Sequence, residues 1–346
     1  MNRFQAALHR KNGSRPPVWF MRQAGRYHAH YQALRAKNSF MDLCKKPELA
    51  CEVTMGPIQD FDFDAAILFS DLLFPLEAMG MGLTYDEGPK LDWHLRELSD
   101  LKRLQGGVER VSALQFQGRA IRLIREKLEM EKGLLGFVGG PFTLFCYAVE
   151  GSHQGALSSA KEGLRDGRFE GFNEKLLDLL AENMALQARA GADTIAVFDT
   201  CAGELDPESF ARFNVPALRS LFTQFAALCP KIPITYYSKG TGPAHWDALR
   251  EVPFHCLGVD WKTSLTEVLT KWSSHWAIQG NVDPQWLFLE RGELERKLRD
   301  VFAKVNALPP ARREGWVCGL GHGVLQKTPE ESVRRFLKLE REIFHE

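Results

Sequence analysis

Eight short apolar runs, separated by segments with helical periodicity, constrain the fold of this 346-residue chain more than any other feature. Short uninterrupted apolar runs are typical of strands in a parallel sheet, because helices cover both faces of such a sheet. Alternation of strands with helices therefore predicts an α/β protein. The predicted strands are residues 18–21, 66–70, 134–139, 194–198, 234–237, 257–260, 277–280 and 316–319.

The segments between these runs carry helix signals of their own. Residues 174–190 place leucines on one side and stop at Gly191, as expected of an amphipathic helix that ends at a glycine. Asp206 predicts a helix N-cap because Pro207 follows it, and Pro216 predicts a kink farther along. The sequence Thr328-Pro329-Glu330-Glu331 predicts a capping box at the start of the last helix.

Eight strand–helix units in a chain of this length predict a single-domain (β/α)8 TIM barrel over residues 1–346. A doubly wound open sheet is the structural alternative. The longest stretch without a clear pattern is residues 80–102, which we expect to be irregular. No segment has the composition of a linker, so we do not expect a second domain.

Positive charge is concentrated at the start of the chain. The formal net charge is zero, but residues 1–41 hold eight Lys and Arg residues and no Asp or Glu. Acidic residues therefore outnumber basic ones in the rest of the chain. Such asymmetry predicts a local anionic partner.

Three explanations compete for this basic segment. A transit peptide is also rich in Arg and poor in acidic residues, but Pro16-Pro17-Val18-Trp19-Phe20-Met21 predicts a buried strand inside the segment. Nucleic-acid binding would require a wider basic surface, whereas the chain as a whole is neutral. We therefore favour a small anionic molecule bound by clustered arginines.

Cysteine content and hydropathy add further expectations. Seven cysteines without a Cys-x-x-Cys pair are not typical of a disulfide scaffold or a cysteine-rich zinc site, and they fit a reducing cytosol. No apolar run approaches the roughly 18 residues of a membrane span. We expect a cytoplasmic protein that binds neither nucleic acid nor membrane.

A polar or glycine-rich cluster follows each predicted strand. In a parallel barrel the carboxyl ends of the strands form one face, and the active site lies there. Eight such clusters therefore predict one shared site. In chain order they lie at residues 22–27, 70–71, 139–143 with Tyr147, 199–203, 238–240, 260–261, 281–284 and 321–323.

Several of these residues also have simpler structural interpretations. Asp260 is consistent with a helix cap or an ion-pair partner, and Asn281 and Asp283 are consistent with capping of a helix start. Lys239 could be a Schiff-base amine, but nothing near it in sequence supports that role. His322 is the better functional candidate, because a glycine on each side lets a ligand approach closely.

The arginines are harder to explain as neutral surface. Arg22 follows a predicted strand and has no acidic residue near it in sequence, so its partner is either distant in the chain or a ligand. Guanidinium groups pair bidentately with carboxylates. Asp71 has the opposite sign, so a ligand that contacts both must be anionic at its rim and carry hydrogen-bond donors at its centre.

Six motifs resemble those of the uroporphyrinogen decarboxylase family, and they occur in the family's order between residues 16 and 333. The first motif is highly specific, whereas the last two are weak alone. The motifs are Met21-Arg22-Gln23-Ala24-Gly25-Arg26-Tyr27, Phe69-Ser70-Asp71, Gly140-Pro141-Phe142-Thr143-Leu144 with Tyr147 and Glu150-Gly151, Phe198-Asp199-Thr200-Cys201-Ala202-Gly203, Gly280-Asn281-Val282-Asp283-Pro284, and Gly321-His322-Gly323.

The resemblance implies a (β/α)8 barrel, usually a homodimer, that works without metal or organic cofactor. It implies conversion of uroporphyrinogen III to coproporphyrinogen III in haem (porphyrin) biosynthesis. In this carboxy-lyase reaction four acetate side chains become methyl groups and four CO2 are released. The implied tetrapyrrole substrate carries eight carboxylates outside and four pyrrole N–H groups inside, which agrees with the ligand deduced from the charges.

The resemblance also implies roles for individual residues. Arg22, Arg26 and Arg35 would bind rim carboxylates. Asp71 would accept hydrogen bonds from the pyrrole N–H groups and stabilise the cation formed when a pyrrole carbon is protonated, so Asp71 and Arg22 are the expected catalytic residues. The other implied substrate contacts are Gln23, Ala24, Gly25, Tyr147, Thr200 and His322, with Phe20, Met21 and Phe142 as apolar surface.

The chain departs from the family pattern at three places. His28-Ala29-His30-Tyr31 stands where Leu-Pro-Glu-Tyr is usual, so His30 replaces a carboxylate near the arginines. Thr200 stands where serine is commoner, and Cys201 replaces a bulkier residue. We expect these changes to affect the substrate rim and isomer preference more than the reaction type.

Two rival functions fit the same kind of fold. A cobalamin-linked methyltransferase would carry a His-x-Cys zinc motif, whereas His255 and Cys256 are adjacent here. A catalytically silent tetrapyrrole carrier would not need Arg22, Asp71 and His322 together. We therefore expect an enzyme.

Overall fold

A computed structural model describes residues 1–13, 15–86 and 88–344 of the chain. In these residues seven parallel strands form one curled sheet, and each strand pairs with the next one in chain order. The prediction of an α/β fold with a parallel sheet is confirmed. In chain order the strands are β1 (Ala65–Ile67), β2 (Thr84–Tyr85), β3 (Pro89–Lys90), β4 (Gly133–Gly139), β5 (Thr194–Asp199), β6 (Ile234–Ser238), β7 (Cys256–Gly258), β8 (Ala277–Val282) and β9 (Trp316–Leu320), of which β2 and β3 form a separate antiparallel hairpin.

Burial explains why the sheet could be predicted from apolar runs. Every residue of β4, β5, β6, β8 and β9 is buried. A strand that is covered on both faces loses the alternation of polar and apolar residues and becomes a continuous apolar run. Seven of the eight predicted strands are therefore confirmed, with ends that differ by a few residues.

Helices connect the strands of this sheet and pack against it. Among the described helices, none combines the length and the hydrophobicity needed to cross a membrane.

Two predicted helix ends are confirmed, since α9 stops just before Gly191, whose φ is 119°, and the Asp206 carboxylate caps α10. The helices are α1 (Arg3–Leu8), α2 (Ala29–Arg35), α3 (Phe40–Lys45), α4 (Pro47–Phe61), α5 (Phe74–Ala78), α6 (Gln115–Lys127), α7 (Pro141–Glu150), α8 (Ser158–Gly163), α9 (Arg168–Arg189), α10 (Pro207–Ser209), α11 (Val215–Leu228), α12 (Pro243–Asp247), α13 (Leu265–Trp272), α14 (Arg291–Asn306), α15 (Pro310–Arg313) and α16 (Glu330–Ile343).

The region of the predicted kink at Pro216 contains a change of helix type. A π-helical segment, Phe210–Asn214, joins α10 to α11. Pro216 is the second residue of α11, where a missing N–H costs least. The wider π turn brings Asn214 inward, and this residue reappears in the description of the site.

Two local predictions are wrong. The Thr328 hydroxyl donates to the Leu325 carbonyl (2.8 Å), so it closes a local turn, and α16 begins at Glu330 without a side-chain cap. Residues 80–102 are not irregular throughout, because they contain the β2–β3 hairpin and the start of a 3-10 helix, Leu98–Arg103. Strands of two residues are too short to leave a periodic pattern in the sequence.

The first predicted strand forms a single parallel bridge between Val18 and Cys318 of β9, not a full strand. The Trp19 N–H donates to the Cys318 carbonyl (3.0 Å), and the Cys318 N–H donates to the Pro17 carbonyl (2.9 Å). On the other side the Val18 carbonyl accepts the N–H of Asp64 (3.1 Å), the residue before β1. The segment therefore lies between β9 and the start of β1, which are the two edges of the sheet.

The last helix fastens the segment that precedes α2. Arg15 pairs with Asp64 (3.1 Å) and with Glu340 of α16 (3.4 Å). Near the other end of α16, the Glu330 carboxylate accepts the Ala29 N–H (2.8 Å). Burial raises the pKa of Glu340 to about 7, although Arg15 acts against this shift. Residues 15–29 are thus anchored at both ends to α16.

Candidate active site

Side chains from separate segments meet at the carboxyl ends of the strands. Arg22 follows the Val18 bridge, Asp71 follows β1, Tyr147 lies on α7 after β4, and His322 follows β9. The Arg22 guanidinium lies within electrostatic range of the other three side chains. The structure therefore brings four predicted site residues into one cleft.

Asp71 is held by the turn that follows β1. Its Oδ1 accepts the Leu73 N–H (2.9 Å). The side chain is partly accessible but surrounded by protein, and this desolvation raises the pKa of Asp71, whereas Tyr85, the Leu73 N–H and the Arg22 charge lower it. A carboxylate with so little hydration interacts strongly with a positive charge or an N–H group brought next to it.

Tyr85 reaches the same carboxylate from the β2–β3 hairpin. Its ring packs against Phe40, with ring centroids 4.5 Å apart. Its hydroxyl is buried next to Asp71 and makes no well-aligned hydrogen bond within the described part of the chain. Burial and the Asp71 charge raise the pKa of Tyr85, so the hydroxyl stays protonated and is available as a donor to Asp71.

Arg22 has an unusual backbone and an unpaired side chain. Its φ of 60° lies in the left-handed region, which costs a residue with a side chain about 1–2 kcal/mol. Its side-chain stem packs against Gly323, and no residue in the described ranges pairs with its exposed guanidinium. Backbone strain combined with an unpaired charge indicates a side chain that is held in place for a ligand.

Arg26 and Arg35 lie farther out, around Tyr31. Both charges lower the pKa of the Tyr31 phenol, although burial dominates and raises it. The Tyr31 ring packs against Phe69, two residues before Asp71, with ring centroids 5.5 Å apart. Neither guanidinium has an ion-pair partner among the residues that the structure describes. The two arginines therefore extend the cationic surface outward from Arg22.

Tyr147 and His322 supply neutral polar groups to the cleft. The Tyr147 hydroxyl lies 2.5 Å from Nδ1 of His153. Burial, together with the Asp71 charge, raises the pKa of Tyr147. Burial and the Arg22 charge lower the pKa of His322 to about 4, so its imidazole is neutral near pH 7.

A buried carboxylate positions the segments beneath Tyr147 and Thr200. Asp199, at the end of β5, accepts hydrogen bonds from the Thr143 hydroxyl (2.6 Å), the Asn214 amide (2.8 Å) and the Tyr236 hydroxyl (3.0 Å). Burial raises the pKa of Asp199, and these donors lower it. Asp199 thereby fixes the start of α7 and the half-buried Thr200 that follows β5.

Gln23, Ala24 and Gly25 turn toward the protein. Gln23 is buried, and its amide donates to the Ala65 carbonyl (2.7 Å). Ala24 packs against a small apolar cluster, and the Gly25 carbonyl accepts the His28 N–H (2.9 Å). These contacts shape the arginine-bearing loop, and direct contact of the three residues with a ligand stays a prediction.

Two of the residues that depart from the family pattern, His28 and His30, face α4. His28 is buried, and its Nε2 lies 2.7 Å from Oδ2 of Asp60. The Nε2 atom of His30 lies 3.2 Å from the Glu52 carbonyl. Both imidazoles are thus engaged with α4.

Three strand-end residues fasten loops, but only Asp283 does so by the helix capping that its simpler interpretation predicted. Asp260 accepts the N–H groups of Gly240 (2.8 Å) and Lys262 (3.0 Å). Asn281 donates to two backbone carbonyls, both at 2.7 Å. Asp283 caps the 3-10 helix that follows it. These contacts keep the loops around the cleft in place.

Two residues of the cleft, Tyr85 and His153, were absent from the predicted site, and Lys239 lay in a predicted strand-end cluster without an assigned role. Lys239 is half-buried, acts electrostatically on His153 and His322, and has no ion-pair partner in the described ranges. Its place after β6 was the one available sequence signal. Tyr85 and His153 lie in segments without a periodic pattern, so only the folded chain reveals that they face the cleft.

Two other features lie outside the cleft. A surface groove of about 570 Å3 runs between α4 and α16, and none of the site residues borders it. All seven cysteines are buried and free. In the described part of the chain no cluster of three or more His, Cys, Asp or Glu side chains is arranged to hold a metal ion.

The arrangement suits a polyanion with a donor-rich centre. Arg22, Arg26, Arg35 and Lys239 offer cations without an ion-pair partner in the described ranges, and the poorly hydrated Asp71 carboxylate lies within electrostatic range of Arg22. Such a cleft can pair with peripheral carboxylates while it stabilises positive charge that develops centrally.

Comparison with known proteins gives a family match over nearly the whole chain. A family model described as "Uroporphyrinogen decarboxylase (URO-D)" matches residues 1–343. A protein named "Uroporphyrinogen decarboxylase" from Roseiflexus sp. (strain RS-1) is 36% identical over 341 residues, which cover 96% of each chain. A protein of the same name from Syntrophotalea carbinolica is 36% identical over 322 residues and covers 92% of this chain and 91% of its own.

Solved structures share the fold at low sequence identity. A methyltransferase from Methanosarcina mazei superposes with a TM-score of 0.77 at 19% identity, covering 99% of this chain and 98% of the other. A putative vitamin-B12-independent methionine synthase from Listeria monocytogenes superposes with a TM-score of 0.56 at 10% identity, covering 100% and 99%. At these identities the likeness is one of fold alone.

Proposed function

The chain belongs to the uroporphyrinogen decarboxylase family, and we propose that it converts uroporphyrinogen III to coproporphyrinogen III in haem (porphyrin) biosynthesis. The observation that carries this assignment is the Arg22 guanidinium, which has no ion-pair partner in the described ranges and lies within electrostatic range of the poorly hydrated Asp71 carboxylate. The substrate has eight carboxylates outside and four pyrrole N–H groups inside, so it complements both parts of the cleft.

Asp71 acts at the centre of the bound macrocycle. Its carboxylate accepts hydrogen bonds from the pyrrole N–H groups. When a pyrrole α-carbon is protonated, Asp71 stabilises the resulting cation by Coulomb attraction across a poorly hydrated site. Tyr85 supports this role, because a hydroxyl that donates to Asp71 keeps the carboxylate ionised.

The protonated ring provides the electron sink, so we propose that the reaction runs without metal or organic cofactor. The bond between the acetate methylene and its carboxylate breaks, CO2 leaves, and the bonding pair flows into the pyrrolic cation. A proton then adds to the methylene carbon to form the methyl group, and the ring α-carbon loses its extra proton. Each decarboxylation therefore consumes one proton in total.

Arg22 holds the carboxylate that is to be lost. Its fork pairs bidentately with that group and orients the C–C bond for cleavage. As CO2 departs, the guanidinium loses its counter-charge and attracts the water or acid that delivers the proton. Arg26 and Arg35 bind carboxylates farther out on the rim.

The remaining predicted contacts complete the binding surface. Tyr147, Thr200 and His322 bind polar groups of the substrate from three sides of the cleft. Gln23, Ala24 and Gly25 form the wall beside Arg22, and Lys239 adds a fourth cation to the predicted three. His322 is neutral near pH 7, so its ring N–H can donate a hydrogen bond to the substrate without bringing a positive charge into the cleft.

We further propose that the segment at Val18 completes a closed (β/α)8 barrel and that residues 1–346 form a single domain. The hydrogen bonds of this segment to both sheet edges support closure. A homodimer and a cytoplasmic location are proposals carried over from the family. Buried free cysteines support a reducing compartment, and light scattering on the purified chain tests the dimer.

The deciding experiment is an anaerobic assay with uroporphyrinogen III and no added cofactor. We expect four CO2 and one coproporphyrinogen III per substrate molecule consumed. Binding of uroporphyrinogen III without CO2 release would assign a silent carrier instead. Failure to bind it at all would overturn the proposal.

A further inference from the structure

His153 stands directly behind Tyr147 at the edge of the cleft. α7 ends at Glu150, and Gly151 takes the left-handed conformation that turns the chain back toward the strands' carboxyl ends. This turn places Nδ1 of His153 2.5 Å from the Tyr147 hydroxyl. The imidazole is half-buried. No residue in the described ranges pairs with its other nitrogen, Nε2.

Two cations face this imidazole, and no carboxylate offsets them. Burial makes the largest contribution to a lowered pKa of His153, followed by the charges of Lys239 and Arg22. Lys239 comes from the segment after β6, Arg22 comes from the loop after Val18, and Tyr147 is the neighbouring group on α7. Burial first, and the two positive neighbours after it, therefore disfavour the protonated form of His153 in the free protein.

The hydrogen bond to Tyr147 has two arrangements while the imidazole is neutral, because the donor depends on the tautomer of His153. The Tyr147 phenol is protonated, since burial raises its pKa. In the tautomer with its hydrogen on Nε2, the imidazole accepts the Tyr147 hydroxyl hydrogen at Nδ1. In that tautomer the hydroxyl hydrogen points at His153 and cannot be donated to a ligand.

We propose that His153 is a positioning residue that takes up one proton when carboxylates of the substrate bind, and that this proton turns the Tyr147 hydroxyl toward the substrate. The inference rests on the proposed function. Substrate carboxylates offset the charges of Lys239 and Arg22, so the main electrostatic penalty on protonated His153 disappears. The proton comes from solvent and binds Nδ1.

Protonation reverses the hydrogen bond between the two side chains. The Nδ1–H of the imidazolium donates to the Tyr147 oxygen, so the Tyr147 O–H can no longer point at His153. That hydroxyl then donates to a substrate carboxylate. Protonated His153 also carries a positive charge and a proton at the edge of the cleft, where each decarboxylation consumes one proton.

The test measures proton uptake on binding coproporphyrinogen III, which the chain does not turn over. Its remaining carboxylates can offset the charge of Lys239, although the acetate that pairs with Arg22 is gone. Calorimetric titrations under anaerobic conditions at pH 6.5, in two buffers of different ionisation enthalpy, give the number of protons bound. We expect the unmodified protein to take up more protons per site than His153→Gln, because offsetting Lys239 raises the lowered pKa of His153 back toward the ordinary imidazole value. His9→Gln, an exposed histidine outside the cleft, is the matched control and is expected to behave like the unmodified protein.

Equal uptake by His153→Gln and the unmodified protein would overturn the inference but leave the proposed function standing. Absence of coproporphyrinogen III binding by the unmodified protein would overturn the inference, whereas the assay with uroporphyrinogen III decides the proposed function separately. If His153→Gln does not fold, Lys239→Gln replaces it. With one cation removed, free His153 is already partly protonated, so uptake is expected to fall, and unchanged uptake there would also reject the inference.

Discussion

The side-chain stem of Arg22 lies against the α-carbon of Gly323. A β-carbon added to Gly323 would lie 2.5 Å from Cδ of Arg22 and 2.7 Å from its Cγ. These distances are far inside van der Waals contact, so only a glycine fits beside the arginine. The contact joins the loop after Val18 to the loop after β9, and it sets the direction of the guanidinium.

Replacing Gly323 with alanine is expected to push the Arg22 stem aside while leaving the protein folded. A displacement of about 1 Å in a positioning group can cost on the order of 100-fold in rate, so we expect a fall of that order in kcat/KM for uroporphyrinogen III. Steady-state CO2 release and thermal unfolding are the measurements. Gly292→Ala is the control, because an added β-carbon there meets no atom within 4 Å. Normal turnover by Gly323→Ala would contradict the role of this contact.

Asp71→Asn is expected to abolish decarboxylation and preserve the fold. An asparagine can still accept the Leu73 N–H, so the turn after β1 keeps its hydrogen bond. A neutral amide, however, cannot offset a pyrrolic cation. Anaerobic CO2 release and coproporphyrinogen III binding should be measured together. A variant with half of the normal turnover would argue against electrostatic stabilisation by Asp71.

Arg22→Lys is expected to keep part of the substrate binding and lose most of the turnover. Lysine retains the charge but cannot form the bidentate fork. The expected pattern is a fall in kcat that exceeds the rise in KM. Arg296→Lys, on the exposed face of α14, controls for loss of an arginine elsewhere. Near-normal kcat in Arg22→Lys would exclude a chemical role for the guanidinium.

Tyr85→Phe is expected to shift the acid limb of the pH profile. The Tyr85 hydroxyl lowers the pKa of Asp71, so its removal raises that pKa further. Because Asp71 acts as an anion, the pH at which kcat/KM falls to half should move upward. The measurement is kcat/KM for uroporphyrinogen III across the acid range. An acid limb that does not move would show that the two side chains are not coupled.

Glu340→Gln is expected to flatten the dependence of stability on pH. Burial raises the pKa of Glu340 from 4.5 to about 7, so the folded chain holds this proton more tightly than the unfolded chain does. This protonation adds at most about 3 kcal/mol to the free energy of unfolding. The contribution is fully present below pH 4.5 and is lost as the pH rises through 7. Urea unfolding at several pH values measures this slope. Identical slopes in the two proteins would contradict the shift.

The sheet was predictable because each strand is buried on both faces. The Val18 segment shows where this reasoning stops, since its apolar run indicates a buried strand but cannot reveal that only one bridge forms with Cys318. That outcome depends on how the two sheet edges meet. For Thr328, likewise, only the folded chain decides whether its hydroxyl accepts a helix N–H, as a cap would, or donates to the Leu325 carbonyl, as it does here.

The site was predictable where charge was the signal. Arg22 and Asp71 stood out because each lacked a local partner of opposite sign. Asp260 was ambiguous, because an aspartate after a strand can bind a ligand or accept backbone N–H groups, and here it accepts those of Gly240 and Lys262. Tyr85 and His153 left no trace in the sequence pattern, since their importance comes entirely from what they face.

The anchoring of residues 15–29 by α16 has a consequence for biosynthesis. The loop with the first arginines is made before α16, which carries its tethers Glu330 and Glu340. During synthesis this loop therefore cannot reach its anchored position until residues 330–343 have emerged and folded against it.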